Sequence, residues 1–386
     1  MLSCVMGLSS MADWLIAGAG IGGLAAALAL QRRGLSSEIW EQAKAFDEVG
    51  AGVQMGPNVT RILRQWGLGD ALDSVAAQPQ TLIACDAISG HDLGRLDLSA
   101  FNDRYGAPYL TIHRSDLHGL LRSAMDPTQS QTCLERTVVQ VQEGPDQVLQ
   151  VCDAEGVVAH PRALIGADGL WSKVRMQFES ESSPVPTGHW AYRALLPTRL
   201  LSPRWRRHEV RVWMAPGLHA VHYPVRRGDW LNLVVLVESS DRTQTAGWDV
   251  YREPAQIQND LQQLMRGLCP DLHDVLRPVE SWRAWPLWNR RHLSSAHGMA
   301  RGSVALLGDA AHPMLPYLAQ GAGMAIEDAH QLEIVLAEMG SGDVPKVFLA
   351  YAQSRWVRNA RVQTQSERNG KIFHARGLTA WARNAS

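Results

Sequence analysis

This sequence has few cysteines and no obvious way of pairing them. Five are spread over 386 residues (Cys4, Cys85, Cys133, Cys152 and Cys269), an odd number without a CxxC pair. Neither a disulfide framework nor a zinc site is indicated, no metal is expected, and a reducing cytoplasm fits. Charge of one sign is missing too. The 37 Lys+Arg and 38 Asp+Glu leave a formal net charge of −1, which removes the positive field that a nucleic-acid partner requires. The opening MLSCVMGLSS has no basic residue ahead of its apolar ones, so it does not read as a signal peptide, and Met11 offers a second possible start. One apolar run, Trp14 to Leu30, approaches the length of a membrane span. Gly18, Gly20, Gly22 and Gly23 break it into a short strand and a helix, so no membrane contact is expected. A small-molecule partner is expected instead, bound by one large or two interleaved domains, with monomer and homodimer both open.

What is present is an alternation of strand and helix patterns at both ends of the chain. DWLIAGAG reads as a buried strand, IGGLAAALALQRRG as a helix closed by Gly34, and SSEIWEQ as a second strand. RALIGADG and GSVALLGDAA read as apolar strands running into a Gly-Asp or Asp-Gly turn, and GMAIEDAHQLEIVLAEMG as a long helix. Between about Thr187 and Trp288 the texture changes to alternating segments such as HEVRVWMAPG, LHAVHYPVRRGDW and LNLVVLVESS, which predict antiparallel strands. The expected fold is α/β. A Rossmann-like domain is assembled from residues 11–80, 106–186 and 290–345, a mostly antiparallel β-sheet domain from 81–105 and 187–289 is inserted into it, and 346–386 form a helical C-terminal segment.

Gly18-Ala19-Gly20-Ile21-Gly22-Gly23 supplies GxGxxG between the first strand and its helix. Gly18 permits the tight turn, Gly20 lets backbone approach a pyrophosphate, and Gly23 lets the helix lie close to the strand. The helix start, at Ile21 and Gly22, presents free N–H groups and partial positive charge to phosphate. Glu41 closes the second strand where a carboxylate can accept hydrogen bonds from ribose hydroxyls. This pattern alone does not separate FAD from NAD.

Three further segments do. Ile112-His113-Arg114-Ser115-Asp116-Leu117-His118, the Asp168 segment Ile165 to Arg175 and the Asp309 segment Gly302 to Pro313 resemble, in order, the motifs of the class A flavoprotein monooxygenases typified by 4-hydroxybenzoate hydroxylase. With the glycines they run in family order from residue 18 to about residue 328, and so cover most of the chain. Val49 to Asn58, Val221 to Gly228 and His312 to Ala329 are most similar to the salicylate hydroxylases and their neighbours, 3-hydroxybenzoate 6-hydroxylase and 6-hydroxynicotinate 3-monooxygenase. The resemblance implies a GR2-type FAD-binding domain. In it Arg114 would contact FAD, the Asp168 region would serve FAD and NAD(P)H, and Asp309 would bind the ribitol. It implies NADH or NADPH as co-substrate and oxygen passing to a small aromatic acid from a flavin C4a-hydroperoxide. From the residues themselves, Asp309 ends an apolar strand at the crevice where ligands bind. Gly321 and Gly323 flank Ala322 where a flat ligand and a helix start would meet.

Substrate contacts are sought on the strand Leu218-His219-Ala220-Val221-His222-Tyr223-Pro224. A period of two puts His219, Val221 and Tyr223 on one face and His222 on the other. The related hydroxylases carry a His and a Tyr four apart near the substrate hydroxyl, so His219 and Tyr223 are the expected catalytic pair, with His219 taking or relaying the phenolic proton. By the same correspondence Gln54, Pro316 and Tyr317 line the pocket. Arg193 is the candidate partner for a substrate carboxylate, and His312 is read as a loop-structural histidine. The competing readings are a flavoprotein dehydrogenase or halogenase on the same scaffold, and a non-catalytic flavin-binding protein. A halogenase would carry WxWxIP, of which Trp282-Arg283-Ala284-Trp285-Pro286 is a partial and displaced echo.

Overall fold

The computed structural model describes residues 12–46, 51–144, 148–178, 183–239 and 254–385. The opening decapeptide, Met11, and Val49 and Gly50 of the segment compared above lie outside them. The strand Trp14–Ala17 is buried on both faces, as the centre of a parallel sheet must be. It pairs in parallel with Ser37–Glu41 on one side and Ala163–Gly166 on the other. Val304–Leu306 and Ser130–Leu134 extend this sheet in parallel, and Ala300–Arg301 runs antiparallel at one edge. The first helix, Ile21–Gln31, is apolar nearly all round because it is covered nearly all round, by the sheet and by the helix Gly321–Met339. Gly34, at φ +68°, ends that element, and Leu35 N–H bonds back to Leu30 O.

The second layer is a seven-stranded sheet. Its order is Arg283–Asn289, Val185–Pro197, Trp230–Glu238, Leu218–Val225, Glu209–Ala215, Thr81–Asp86 and Asp92–Asp97. All neighbours are antiparallel except Thr81–Asp86 with Glu209–Ala215, which are parallel. Its outer face packs under the helices Pro254–Leu264 and Pro270–Leu276 through residues such as Trp213, Leu233, Leu261 and Leu272. Its inner face turns toward the nucleotide-binding part. The ribbon Gly52–Met55 with Leu110–His113 joins the two, since Gly52 N–H donates to Asn232 Oδ1 at 2.6 Å and Thr111 Oγ1 donates to Pro224 O. The helix Val344–Phe373 returns over both layers of its own chain, and Gly377–Ala385 follows it. Among the described residues no helix is long and apolar enough to cross a membrane.

His222 lies on the outer face, stacked on Trp213 and edge-on to Trp205, and neither ring nitrogen has a partner. Burial, helped by the Arg211 charge, lowers its pKa to about 3. Its folded pKa lies below the ordinary 6.5, so the neutral ring contributes stability above pH 6.5 that is lost as pH falls toward 3. Replacing it with leucine removes two buried unsatisfied atoms. We expect His222→Leu to gain about 1 kcal/mol in urea melts at pH 7 and to flatten the decline of stability below pH 6.5. A loss of stability at both pH values would contradict this.

Candidate functional site

The glycine turn is crowded wherever it meets the protein and open where it meets the groove. Gly18 has φ +96°, and a Cβ there would lie 2.6 Å from Ala167 O. A Cβ on Gly23 would lie 1.9 Å from Gly18 O, so no side chain fits without opening the turn. A Cβ on Gly20 meets nothing within 4 Å. The five residues of this turn expected at a cofactor, Gly18, Gly20, Ile21, Gly22 and Gly23, also differ in what they meet within the protein. The Ile21 side chain is in the core, a Cβ on Gly22 would lie 3.0 Å from Leu307 Cδ2, and one on Gly23 would strike the turn itself, so these three can offer a ligand only backbone N–H groups. Other side chains clasp the turn. Glu41 Oε2 accepts from Ala19 N–H at 2.7 Å and its Oε1 from Ala43 N–H at 2.9 Å, while Gly18 N–H donates to Trp40 O. His118 donates through Nε2 to Ala19 O at 2.8 Å. Glu41 is thus a structural clasp, with lone pairs to spare for a ribose. His118 was not singled out from sequence, although it follows Arg114 by one helical turn on Arg114–Ser123.

A cavity of about 390 Å³ opens here, lined by Gly18, Gly20, Glu41, Arg136, Asp168 and Lys173 among others. Its polar rim and the bare Gly20 suit the adenosine and pyrophosphate of a dinucleotide. The Asp168 carboxylate, which lines this cavity, is also engaged within the protein. It accepts from Ser172 Oγ at 2.6 Å, Lys173 N–H at 2.7 Å and Val174 N–H at 3.1 Å, and so caps the short helix Lys173–Met176. Burial pushes its pKa up against those hydrogen bonds.

At the other end Asp309 follows the strand Val304–Leu306. It is set deep among protein atoms, and burial raises its pKa against the opposing charges of His312 and Arg114, yet its own surface is exposed, as at the floor of a groove. Gly321 and Ala322 begin the long helix beside it, with the Gly321 Cβ position 3.9 Å from Asp309 Oδ1. A Cβ on Gly323 would lie 2.7 Å from Val59 Cγ2, so this glycine also lets the long helix pack closely.

An ion-pair network beneath this turn was not anticipated. Asp328 accepts from Arg355 Nε at 2.7 Å, from Gly308 N–H at 3.1 Å and from His312 Nε2. Glu327 takes Arg355 Nη1 at 3.0 Å, Arg358, and Asn58 Nδ2 at 2.7 Å. Burial would raise the Asp328 carboxyl, but His312 and Arg355 override it and hold it far below the usual range. His312 therefore braces the loop, tied to a carboxylate rather than capping backbone. Glu327 and Asp328, adjacent acids that follow the apolar run Met324-Ala325-Ile326, are the sequence signal for such buried partners.

The inner face of the large sheet carries the expected substrate residues in cross-strand rows. His219 pairs with Leu236 and Leu236 with Ala191; Val221 pairs with Val234 and Val234 with Arg193; Tyr223 pairs with Asn232. At one end Tyr223 hydrogen-bonds Gln54, whose Oε1 also accepts from Tyr109 Oη at 2.6 Å. Burial raises the Tyr223 pKa, opposed by Arg193. At the other end His219 is 1% exposed and lies against Tyr317, Phe373 and His374. Pro316 begins the turn that inserts Tyr317, whose hydroxyl bonds His189 Nδ1. Between the two ends Val221, Val234 and Arg193 stay half-buried. The Arg193 guanidinium lies over Trp285 at 5.2 Å, its buried Nε has no partner, and burial lowers its pKa.

A nucleotide cavity at the glycine turn, Asp309 at the end of the same sheet, and a second sheet face that carries an arginine, a histidine and a tyrosine beside Tyr317 define a dinucleotide-binding fold with a second ligand face. The model of the FAD binding domain family matches residues 11–366, and the chain belongs to that family; its cofactor is FAD. It is 37% identical over 372 residues to 3-hydroxybenzoate 6-hydroxylase of Polaromonas naphthalenivorans (strain CJ2), covering 96% of this chain and 90% of that protein. It is 33% identical to 6-hydroxynicotinate 3-monooxygenase of Bordetella bronchiseptica, covering 92% and 90%. The fold superposes on a salicylate hydroxylase substrate complex with a TM-score of 0.79 at 24% identity, covering 97% of this chain and 93% of the other. The match to Klebsiella pneumoniae HpxO complexed with FAD and uric acid gives 0.82 at 22% identity, with 97% and 93% covered. The resemblance to class A flavoprotein monooxygenases is borne out, and the protein is an FAD-dependent aromatic hydroxylase.

Proposed function

We propose that the protein hydroxylates a small aromatic acid that carries a ring hydroxyl, of the hydroxybenzoate or hydroxynicotinate kind, using NADH or NADPH and O2 in the cytoplasm. The observation that carries this reading is Arg193, a buried guanidinium stacked on Trp285 with an unpartnered Nε, set in a half-buried apolar floor of Val221 and Val234. A buried cation of this kind calls for an anion, and a ring carboxylate supplies it. In this reading Gly18, Gly20, Glu41, Arg114, Asp309, Gly321 and Ala322 hold FAD, with backbone N–H groups of Ile21, Gly22 and Gly23 facing its phosphates. Residues 11–80, 106–186 and 290–345 serve as the FAD-binding part and 81–105 with 187–289 as the substrate part. When bound and reduced by NADH or NADPH, FAD would activate O2 so that one oxygen atom passes to the ring and the other leaves as water.

The chain's own residues then have distinct tasks. Arg193 fixes the carboxylate, Tyr223 with Gln54 orients one edge of the ring, and Tyr317 on its Pro316 turn closes the other and excludes water. His219 accepts the phenolic proton. Its pKa is held well below the ordinary value by burial and by His374 and His189, so the ring is neutral and able to accept.

The reading is tested by NADH and NADPH oxidation and O2 uptake, with and without hydroxylated benzoates and nicotinates, followed by product identification. Strong stimulation by one acid, with one oxygen atom incorporated, supports it; substrate oxidation without oxygen incorporation overturns it. Arg193→Met is expected to raise KM for that acid roughly 10- to 100-fold, with little change for the same phenol lacking its carboxylate. Equal losses for both compounds would remove Arg193 from this role.

A further inference from the structure

We propose that His374 and Glu238 continue from His219 as a proton relay, carrying the substrate's phenolic proton from the buried sheet face to water; the inference rests on His219 as its first acceptor. His219 Nδ1 lies 2.7 Å from His374 Nε2, and His374 Nδ1 lies 3.3 Å from Glu238 Oε1. His219 and His374 are sealed from solvent at 1% and 3% exposure, whereas the Glu238 side chain is 35% exposed. The three residues form one line from interior to surface.

The direction of this line follows from donor chemistry. A carboxylate only accepts, so His374 carries its proton on Nδ1, and its Nε2 is an acceptor. His219 must then donate through Nδ1, which leaves the Nε2 lone pair bare for a phenol. When the phenolic O–H bond breaks, its proton joins His219 Nε2. The Nδ1 proton of His219 moves to His374 Nε2, and the Nδ1 proton of His374 moves to Glu238 Oε1. The phenolate stays behind, and Glu238 releases one proton to water. Without such an exit, a histidine with no solvent contact must release its proton back along the path it came.

The neighbouring groups suit the task. His189, from the strand Val185–Pro197, is stacked 5.3 Å above His374 at 10°, and Tyr317 bonds that second histidine. A full positive charge on His374 is therefore disfavoured, and its pKa is lowered to about 4 by burial and His189, against Glu238. Arg376 holds Glu238 Oε2 at 2.7 Å, which fixes the carboxylate with Oε1 turned to His374. His189, Glu238 and His374 also bring three possible metal-binding atoms within 4.8 Å of one another. Each side chain is already engaged, by Tyr317, by Arg376 and by His219 with Glu238, so the relay accounts for the contacts without an ion.

His374 and Glu238 act through His219 and are positioning residues. The test uses the FAD-loaded enzyme and the aromatic acid found by oxygen uptake, in rapid-mixing single turnovers across pH and buffer concentration. Glu238→Gln and His374→Gln are expected to slow formation of the bound phenolate at least about tenfold. They should leave FAD content and substrate Kd near wild type, and make the rate rise with buffer concentration; Glu238→Asp should restore the buffer-independent rate. If both glutamine variants match wild type while His219→Ala is slow, the relay is overturned and His219 stands as a base on its own. If His219→Ala also matches wild type, or no aromatic acid is turned over, the proton role of His219 falls and the relay falls with it. If the variants are slow but insensitive to buffer, the contribution is packing and the relay is overturned.

Discussion

Gly23→Ala is expected to give a protein that purifies without yellow colour. A Cβ at residue 23 would sit 1.9 Å from Gly18 O, and Gly18 is itself pressed against Ala167 O by its left-handed turn. Neither backbone can yield, because Gly18 N–H is bonded to Trp40 O and Ala19 N–H to Glu41, and both acceptors lie on the second strand of the parallel sheet. The methyl group must therefore push the helix Ile21–Gln31 off the sheet or unwind the turn. Either costs about 3 kcal/mol or more and displaces the N–H groups that meet pyrophosphate. Flavin absorbance per protein after gel filtration should fall by at least about 100-fold in apparent affinity, since 1.4 kcal/mol is tenfold. The control is Gly20→Ala, where the Cβ meets no protein atom: it should fold normally and weaken FAD alone. A yellow, stable Gly23→Ala protein would mean that the turn is not built as described.

The second large effect is expected at Asp328. Its carboxylate serves Arg355, His312 and Gly308 N–H together, with no exposed surface of its own. Asp328→Ala leaves the buried His312 ring without its carboxylate and Arg355 with Glu327 as its one remaining acidic partner, a loss of about 3 kcal/mol. It also frees the Gly308–Asp309 turn, so denaturant midpoint and flavin content should fall together; loss of one without the other would separate the network from the cofactor floor. The pH dependence follows in sign. The Asp328, Glu327 and Glu333 pKa values are held below their ordinary values of 3.8 and 4.5. Their contribution is therefore complete above about pH 4.5 and is lost as pH falls through the folded-state values. The buried neutral histidines 219, 222 and 374 act earlier and in the same direction, because the unfolded chain takes up their protons from pH 6.5 downward. Urea melts should thus weaken in two stages on acidification, the first by on the order of 1 kcal/mol per pH unit for each such histidine.

What could be read from the chain and what could not divide along physical lines. The strand–glycine–helix unit at residues 14–34 and the alternating strands at 209–238 are local patterns, set by periods of two or 3.6 and by turn residues a few positions away, so one sequence suffices to find them. His219 and Tyr223 share a face for the same reason. The partner of His219, by contrast, is His374, 155 residues on, and no local rule links them. Asp328 and Arg355 look like solvent charges on helices until the packing of Gly321–Met339 against Val344–Phe373 buries both. The latter helix is expected from the sequence, but the face it buries is not, because beyond Ala352 its buried stripe is polar, running through Arg355, Asn359, Gln363 and Ser366, where an apolar period is the usual guide. Glu41 and Gly323 were assigned to a ligand because their spacing suits one. The contacts they also make within the protein, with Ala19 and Ala43 in one case and Val59 in the other, are set by tertiary structure and lie outside what that spacing shows.

The route by which Val344–Phe373 reaches His219 has a consequence for biosynthesis. The parallel sheet is complete once residue 306 has emerged from the ribosome, and the groove floor once Arg355 of the last long helix has met Asp328. The wall against His219 still awaits Gly370, whose missing side chain leaves room for the Tyr317 ring, and His374. A growing polypeptide can therefore capture its flavin before it can enclose an aromatic guest, so the dye-coloured nascent species should precede the competent one.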